Sequence, residues 1–189
     1  MSDEAFHAPG LGGDLRTLRK ARNLTLQQAA QHMERSTGWM SQVERGLSAP
    51  SATEVQRLAA LYDVPISMIL GDATGPEAER GRIVRPDTRR PIGAQVPGLV
   101  EQLLSPDLTD SFEVIHTTFE PHAAITTPRQ RPTEEIGYIL SGRLKITISG
   151  HEFEVRRGDS FRIRNEPYLW ENPHPVAAQA IWVIAPPVY

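Results

Sequence analysis

The sequence predicts a chain of two domains, a small all-α bundle followed by an all-β barrel, and three observations point there. Apolar residues recur at helical spacing as far as Leu70. Gly71 to Gly81, GDATGPEAERG, is polar, holds Gly, Pro and Glu without periodicity, and reads as a linker. Beyond it the pattern becomes short alternating runs punctuated by Gly, Asn and Pro, the signature of a sandwich or small barrel.

Composition bounds the function. With 189 residues, 39% hydrophobic and 23% charged, the chain fits a globular protein of one domain or two small ones. It has no cysteine, which excludes disulfides and thiolate metal sites. The opening MSDEAFHAPG has no apolar core of a signal peptide, and no run approaches the roughly 18 apolar residues of a membrane helix. A cytoplasmic protein without membrane contact is expected. The formal net charge is −3, and up to Leu70 the 7 Lys and Arg are matched by 7 Asp and Glu. Cations nevertheless cluster at Arg16, Arg19, Lys20 and Arg22, and local charge rather than net charge sets attraction to phosphate.

The helices follow in order. Leu15, Leu18 and Ala21 give the first its apolar stripe, broken at Asn23-Leu24. Thr25 with Gln28 three residues on is a capping box opening the second, whose buried face is Ala29, Ala30 and Met33. Ser36 is the N-cap of the third, with Met40 and Val43 inward and Gly46 as its stop. Ser51 and Glu54 cap the fourth, which buries Val55, Leu58, Ala59 and Tyr62, and Pro65 suits the first turn of a fifth ending near Leu70.

Residues Leu24 to Pro50, LTLQQAAQHMERSTGWMSQVERGLSAP, place two short helices around a polar turn. This is the pattern of a helix-turn-helix whose second helix lies in the major groove of double-stranded DNA. Thr37, Ser41 and Gln42 can donate and accept hydrogen bonds at base edges, and Gly38 permits close backbone approach. Ser36 and the amides at the helix start suit a phosphate. Trp39 either lies on the sugar-phosphate backbone or packs on a neighbouring helix. Arg45, Gln27 and Arg22 complete the candidate DNA-binding set.

The stretch Gly38-Trp39-Met40-Ser41-Gln42-Val43-Glu44-Arg45-Gly46, followed by Pro50-Ser51, resembles the xenobiotic-response-element (Xre) family of helix-turn-helix regulators. That resemblance implies a five-helix, lambda-repressor-like bundle in which Arg19 and Glu44 form a partly buried ion pair. In the turn, where the family usually has Gly and then an apolar residue, this chain has Glu34 and Arg35. A left-handed Glu costs roughly 1 kcal/mol relative to Gly, so a turn of different shape is expected.

In the second half, Arg143 to Ile148 and Phe161 to Arg164 alternate, and Gln179 to Ile184 is a short apolar run. Turns fall at Ser141-Gly142, Ser149-Gly150, Arg157-Gly158-Asp159 and Asn165-Glu166-Pro167. Glu135 with Gly142, and Gly158-Asp159 with Pro167 and Asn172, are spaced as in the two motifs of the cupin barrel, a double-stranded β-helix or jelly roll. Together the resemblances imply a regulator of the Xre-cupin type. The expected organisation is a disordered N-terminus over 1–10, a DNA-binding domain over 11–70, a linker over 71–82, and a cupin-like effector-binding and dimerisation domain over 83–189.

Metal-binding cupins hold their ion with three His and one Glu. Here the His-x-His positions fall on Arg129-Gln130-Arg131, or one residue earlier on Pro128 and Gln130, Tyr168 stands for the third His, and only Glu135 remains. A guanidinium has no lone pair to give a metal, so neither metal nor cofactor is expected. Two arginines favour a carboxylate or phosphate, Glu135 with Glu134 an ammonium, and Tyr168 with Trp170 an aromatic wall, which together suit an anionic or zwitterionic effector such as an amino acid. His116 completes this candidate set. The alternatives are an Arg131–Glu135 ion pair that closes the pocket and leaves a barrel serving only dimerisation, and an enzyme using Glu135, Tyr168 or His116 for acid–base chemistry. The expected whole is a homodimeric regulator, a repressor, that reads a pseudo-palindromic operator and answers to a small molecule.

Overall fold

A computed structural model describes residues 10–70, 76–79, 81–92 and 96–188. The expected disordered N-terminus, apart from Gly10, and linker residues 71–75 and 80 lie outside the described residues.

Among the described residues five α-helices form as the apolar spacing requires: α1 (Leu11–Ala21), α2 (Leu26–His32), α3 (Thr37–Glu44), α4 (Ala52–Tyr62) and α5 (Ile66–Leu70). Thr25 and Ser51 make reciprocal capping boxes with Gln28 and Glu54, and the Ser36 hydroxyl accepts from the Trp39 amide at 3.1 Å. Each cap satisfies amide donors that a helix start leaves open. Leu15, Leu18, Met40 and Leu58 are fully buried and contribute roughly 1.5–3 kcal/mol each. Gly12 lets α1 run against the end of α3, since a Cβ there would stand 2.6 Å from the Val43 carbonyl oxygen.

The turn between α2 and α3 corrects the expectation of a different shape. Glu34 itself adopts the left-handed conformation, at φ 55°. Its carboxylate accepts from Arg57 at 3.3 Å, and the next residue, Arg35, donates to Glu54 at 2.7 Å. These arginines anchor the turn on α4.

Among the described residues the β region builds two sheets. One has six strands in the order β1 (Arg90–Ile92), β2 (Leu99–Leu103), β3 (Glu113–Phe119), β9 (Ala178–Ala185), β4 (Glu134–Ser141) and β7 (Ser160–Arg164). The other has three, β6 (His151–Arg156), β5 (Arg143–Ile148) and β8 (Tyr168–Glu171). Isolated bridges Ala124↔Glu171 and Arg129↔Tyr168 lay the 124–129 segment beside β8. The core mixes Ile115, Phe119, Ile139, Ala180, Trp182 and Ile184 of the first sheet with Leu144, Ile146, Tyr168 and Trp170 of the second, so it lies between them.

The chain divides into two compact units, and the division differs from the expected boundary at 82. The helical unit runs through Pro91 and takes in Ser105–Asp110, while the barrel comprises Ile92–Leu104 and Ser111–Val188. The reason is Asp14, buried in α1. One of its oxygens accepts from the Arg90 guanidinium at 2.6 Å and the other from the Leu108 amide at 2.9 Å. Arg90 also donates to the carbonyls of Met68 and Pro106 at 3.0 and 3.1 Å. Burial pushes the Asp14 carboxyl above its ordinary range, against the pull of Arg90.

Candidate functional site

The first candidate site is the outer face of α3. Met40, Val43 and Glu44 face inward, and Thr37, Gly38, Gln42 and Arg45 are exposed with Ser41 half-buried. Ser36 is exposed at the helix start and Gln27 on α2 is exposed. The frame beneath is the ion pair expected from the sequence: Arg19 donates to both oxygens of Glu44, from Nε at 2.5 Å and from Nη2 at 3.0 Å, with both side chains buried. Arg19 Nη1 also donates to the Leu24 carbonyl at 2.6 Å, so α1, the start of α2 and the end of α3 are tied at one guanidinium. Trp39 is half-buried with the Arg35 guanidinium 5.4 Å from its ring centre, a cation–π contact that fixes the indole beside the turn.

Arg22 departs from its expected role. Its guanidinium donates to the Tyr62 carbonyl at 2.6 Å and the Asp63 carbonyl at 3.3 Å, capping the end of α4 rather than reaching outward. With Arg19 buried in its pair, Arg16 and Lys20 are the exposed cations of the cluster on α1.

The second candidate site is a cavity inside the barrel. Leu99, Glu101, Thr117, Phe119, Arg129, Arg131, Glu135, Tyr168, Trp170, Trp182 and Ile184 line it. It therefore gathers both arginines, Glu135, Tyr168 and Trp170 of the expected set, with Gln130 turned away and donating to the Asn165 carbonyl at 2.8 Å. His116 is a correction. On β3 it alternates with the cavity-lining Thr117 and Phe119, so its side chain projects from the opposite face of the strand.

The cavity is polar where it is deepest. Glu135 is 1% exposed; its Oε1 accepts from the Thr133 hydroxyl at 2.8 Å, and its Oε2 has no partner. The Thr117 hydroxyl and the Trp182 indole N–H are likewise buried and unpaired. Among the described residues Arg131 forms no ion pair with Glu135, so the closing clamp is not made. Burial pushes the Glu101 carboxyl up, opposed by Arg129 and Arg131. Burial, with the Glu135 charge adding to it, pushes the Tyr168 phenol up to about 12, which keeps it protonated at neutral pH. The enclosed space is about 20 Å³, far below the roughly 300–1,000 Å³ of sites for drug-sized molecules. Among the described residues no group of three His, Cys, Asp or Glu stands close enough to hold a metal ion.

The sequence reading missed Glu101, Thr117, Phe119 and Trp182. The signal for Glu101 was present: Leu99, Glu101 and Leu103 occupy one face of β2, and a carboxylate between two inward leucines marks a polar interior. The motif residues serve the scaffold instead. Asn172 is fully buried and donates to the carbonyls of Phe119, Glu120 and Val176, and Asp159 accepts from the Arg156 amide at 2.9 Å. Gly137 is needed because the Phe161 ring lies over it, where a Cβ would have no room.

Two parts of the chain match known families. Residues 11–69 match a helix-turn-helix domain family and residues 115–184 a cupin domain family. The HTH-type transcriptional regulator PuuR of Escherichia coli is 26% identical over 176 residues, 91% of either chain. The transcriptional regulator ClgR of Mycobacterium tuberculosis is 27% identical over 97 residues, 51% of this chain and 87% of that one. A solved HTH_3 family transcriptional regulator from Vibrio cholerae is 22% identical, with a TM-score of 0.44 over 94% of this chain and 95% of its own. The chain thus carries a helix-turn-helix domain followed by a cupin domain and is similar to a transcription regulator along nearly its whole length, the organisation that the Xre-cupin resemblance implies.

Proposed function

We propose that the protein is a homodimeric, cytoplasmic repressor that reads a pseudo-palindromic operator with α3 and answers, without metal or cofactor, to a small anionic or zwitterionic metabolite such as an amino acid. The observation that carries the DNA-reading half is the polar outer face of α3, Thr37, Ser41, Gln42 and Arg45, set on the buried Arg19–Glu44 pair. Side chains of these types hydrogen-bond to base edges and phosphates, and the rigid frame lowers the entropy lost on docking.

The sensing half is supported by the buried unpaired Glu135 Oε2, Thr117 hydroxyl and Trp182 N–H, together with two half-buried arginines free of ion pairs to the cavity carboxylates. A buried polar atom left unpaired costs about 1–3 kcal/mol, which a bound molecule recovers. The dimer is supported by the outer face of the six-stranded sheet, where Ile136 pairs Val183 and Tyr138 pairs Ile181. Ile136 and Tyr138 are about half exposed, and Leu140 and Val183 extend the same apolar face. A second copy covering it would set two recognition helices on successive turns of DNA.

A barrel that serves only dimerisation is the second reading, and the small size of the cavity favours it. The two separate in a thermal-shift screen of the purified protein against amino acids, dipeptides, amines and small carboxylates, with and without chelator. The sensor reading expects a concentration-dependent rise with one class, indifferent to chelator. No rise with any class supports the dimerisation reading, and a fall on chelation contradicts the metal-free site.

A further inference from the structure

We infer that the barrel cavity takes a primary ammonium group head-first, on Glu135 Oε2 between aromatic walls, while the anionic end of the ligand stays at Arg129 and Arg131. This rests on the sensor reading above and gives the ligand a direction.

Three features fix the direction. The first is depth. Glu135, Thr117 and Trp182 are at least nine-tenths buried, whereas Arg129 and Arg131, which line the same cavity, are only half-buried. The second is size. About 20 Å³ is room for a group no larger than a water molecule or two. An ammonium head is of that size, and a carboxylate with its carbon is not. The third is chemistry. The unpaired carboxylate oxygen Glu135 Oε2 accepts hydrogen bonds, which an ammonium donates, and the unpaired Thr117 hydroxyl of the same cavity can accept as well as donate.

The walls suit the same group. Phe119 and Trp170 meet edge to face at 4.8 Å, and Tyr168 and Trp182 lie 6.1 Å apart, so aromatic rings line the space in front of Glu135. Ring faces attract cations, and a carboxylate backed by aromatic rings recognises ammonium groups. The Trp182 N–H is a donor and takes an oxygen, of the ligand or of water. The Thr133 hydroxyl on Glu135 Oε1 holds the carboxylate so that Oε2 is the free oxygen. At the outer end, guanidinium groups grip a carboxylate in two parallel hydrogen bonds.

The test compares L-alanine, ethylamine and propionate, which share a two-carbon frame and differ in which charged end is present. Dissociation constants are measured by calorimetry on the full-length protein, on Glu135→Gln and on Arg131→Gln. Glu135→Gln should weaken alanine and ethylamine about tenfold or more and leave propionate within about threefold. Arg131→Gln should weaken alanine and propionate and spare ethylamine, and it reads the same orientation from the other end if Glu135→Gln does not fold. Amine binding unchanged in Glu135→Gln, or ethylamine weakened as much as propionate in Arg131→Gln, overturns the orientation and leaves the sensor reading standing. Binding of none of the three to the unaltered protein overturns the ammonium site, and a silent thermal-shift screen with it removes the sensor reading as well.

Discussion

Arg19 and Glu44 are the residues on which the DNA-reading face depends most. Removing one partner of a buried ion pair strands the other charge, so Glu44→Ala should destabilise the helical domain by about 3 kcal/mol. Chemical denaturation followed by circular dichroism measures this, and a loss under about 1 kcal/mol would show that the pair is solvated. Glu34 gives the opposite expectation. Its left-handed backbone is strained for any residue but glycine, and its ion pair with Arg57 is solvent-exposed. Glu34→Gly should therefore stabilise by up to about 1 kcal/mol. Glu113 carries a pH dependence. It is buried on β3, accepting from the Val188 amide at 3.2 Å, and burial raises its carboxyl from 4.5 to about 7 against the pull of that amide and of Arg131, with Glu101 and Glu135 raising it further. Between those values the folded state binds more protons than the unfolded one. The stabilising contribution is complete below about 4.5 and is lost as pH rises through about 7. Glu113→Gln should flatten this loss, which is on the order of 3 kcal/mol, in urea denaturation at pH 5 and pH 8. Equal slopes for both proteins would contradict it.

Among the elements, α3 was legible in the sequence almost residue by residue. Ser36 as cap, Met40 and Val43 inward, and Gly46 as stop all follow from 3.6-residue spacing and cap chemistry, and the structure repeats them. The capping boxes at Thr25 and Ser51 were equally local and equally legible. The barrel is legible where alternation is strong, as over β5 and β7, and where a short apolar run marks β9. It failed where choosing a face needed the partner strand. His116 attracted attention as an imidazole, yet the inward face of β3 is Glu113, Ile115, Thr117 and Phe119, fixed by register with Gln102 on β2 and Ile181 on β9. Arg22 failed for a related reason. Its partners, the Tyr62 and Asp63 carbonyls, lie forty residues away, and nothing local announces them. The capture of Arg90 and Leu108 by Asp14 was hidden in the same manner, because a buried aspartate on an otherwise ordinary amphipathic helix gives no sign of which chain segment will answer it.

At the scale of the whole molecule the two units differ in what specifies them: local rules specify the helical domain, and the barrel's site emerges only on folding. The proposed dimer rests on the apolar outer face of β4 and β9. Tyr138→Glu should convert a dimer to a monomer in size-exclusion chromatography with light scattering, and weaken operator binding with it; a dimer that persists would place the interface elsewhere. The central claim is that α3 reads base sequence, and selection of binding sites from random duplex DNA tests it most directly, with Gln42→Ala run beside the unaltered protein. The account predicts enrichment of a pseudo-palindrome with half-sites about one helical turn apart. It also predicts that Gln42→Ala relaxes one position in each half-site and costs about 1–3 kcal/mol on the selected sequence. Enrichment of no sequence, or the same sequence selected with the same affinity by both proteins, would contradict it.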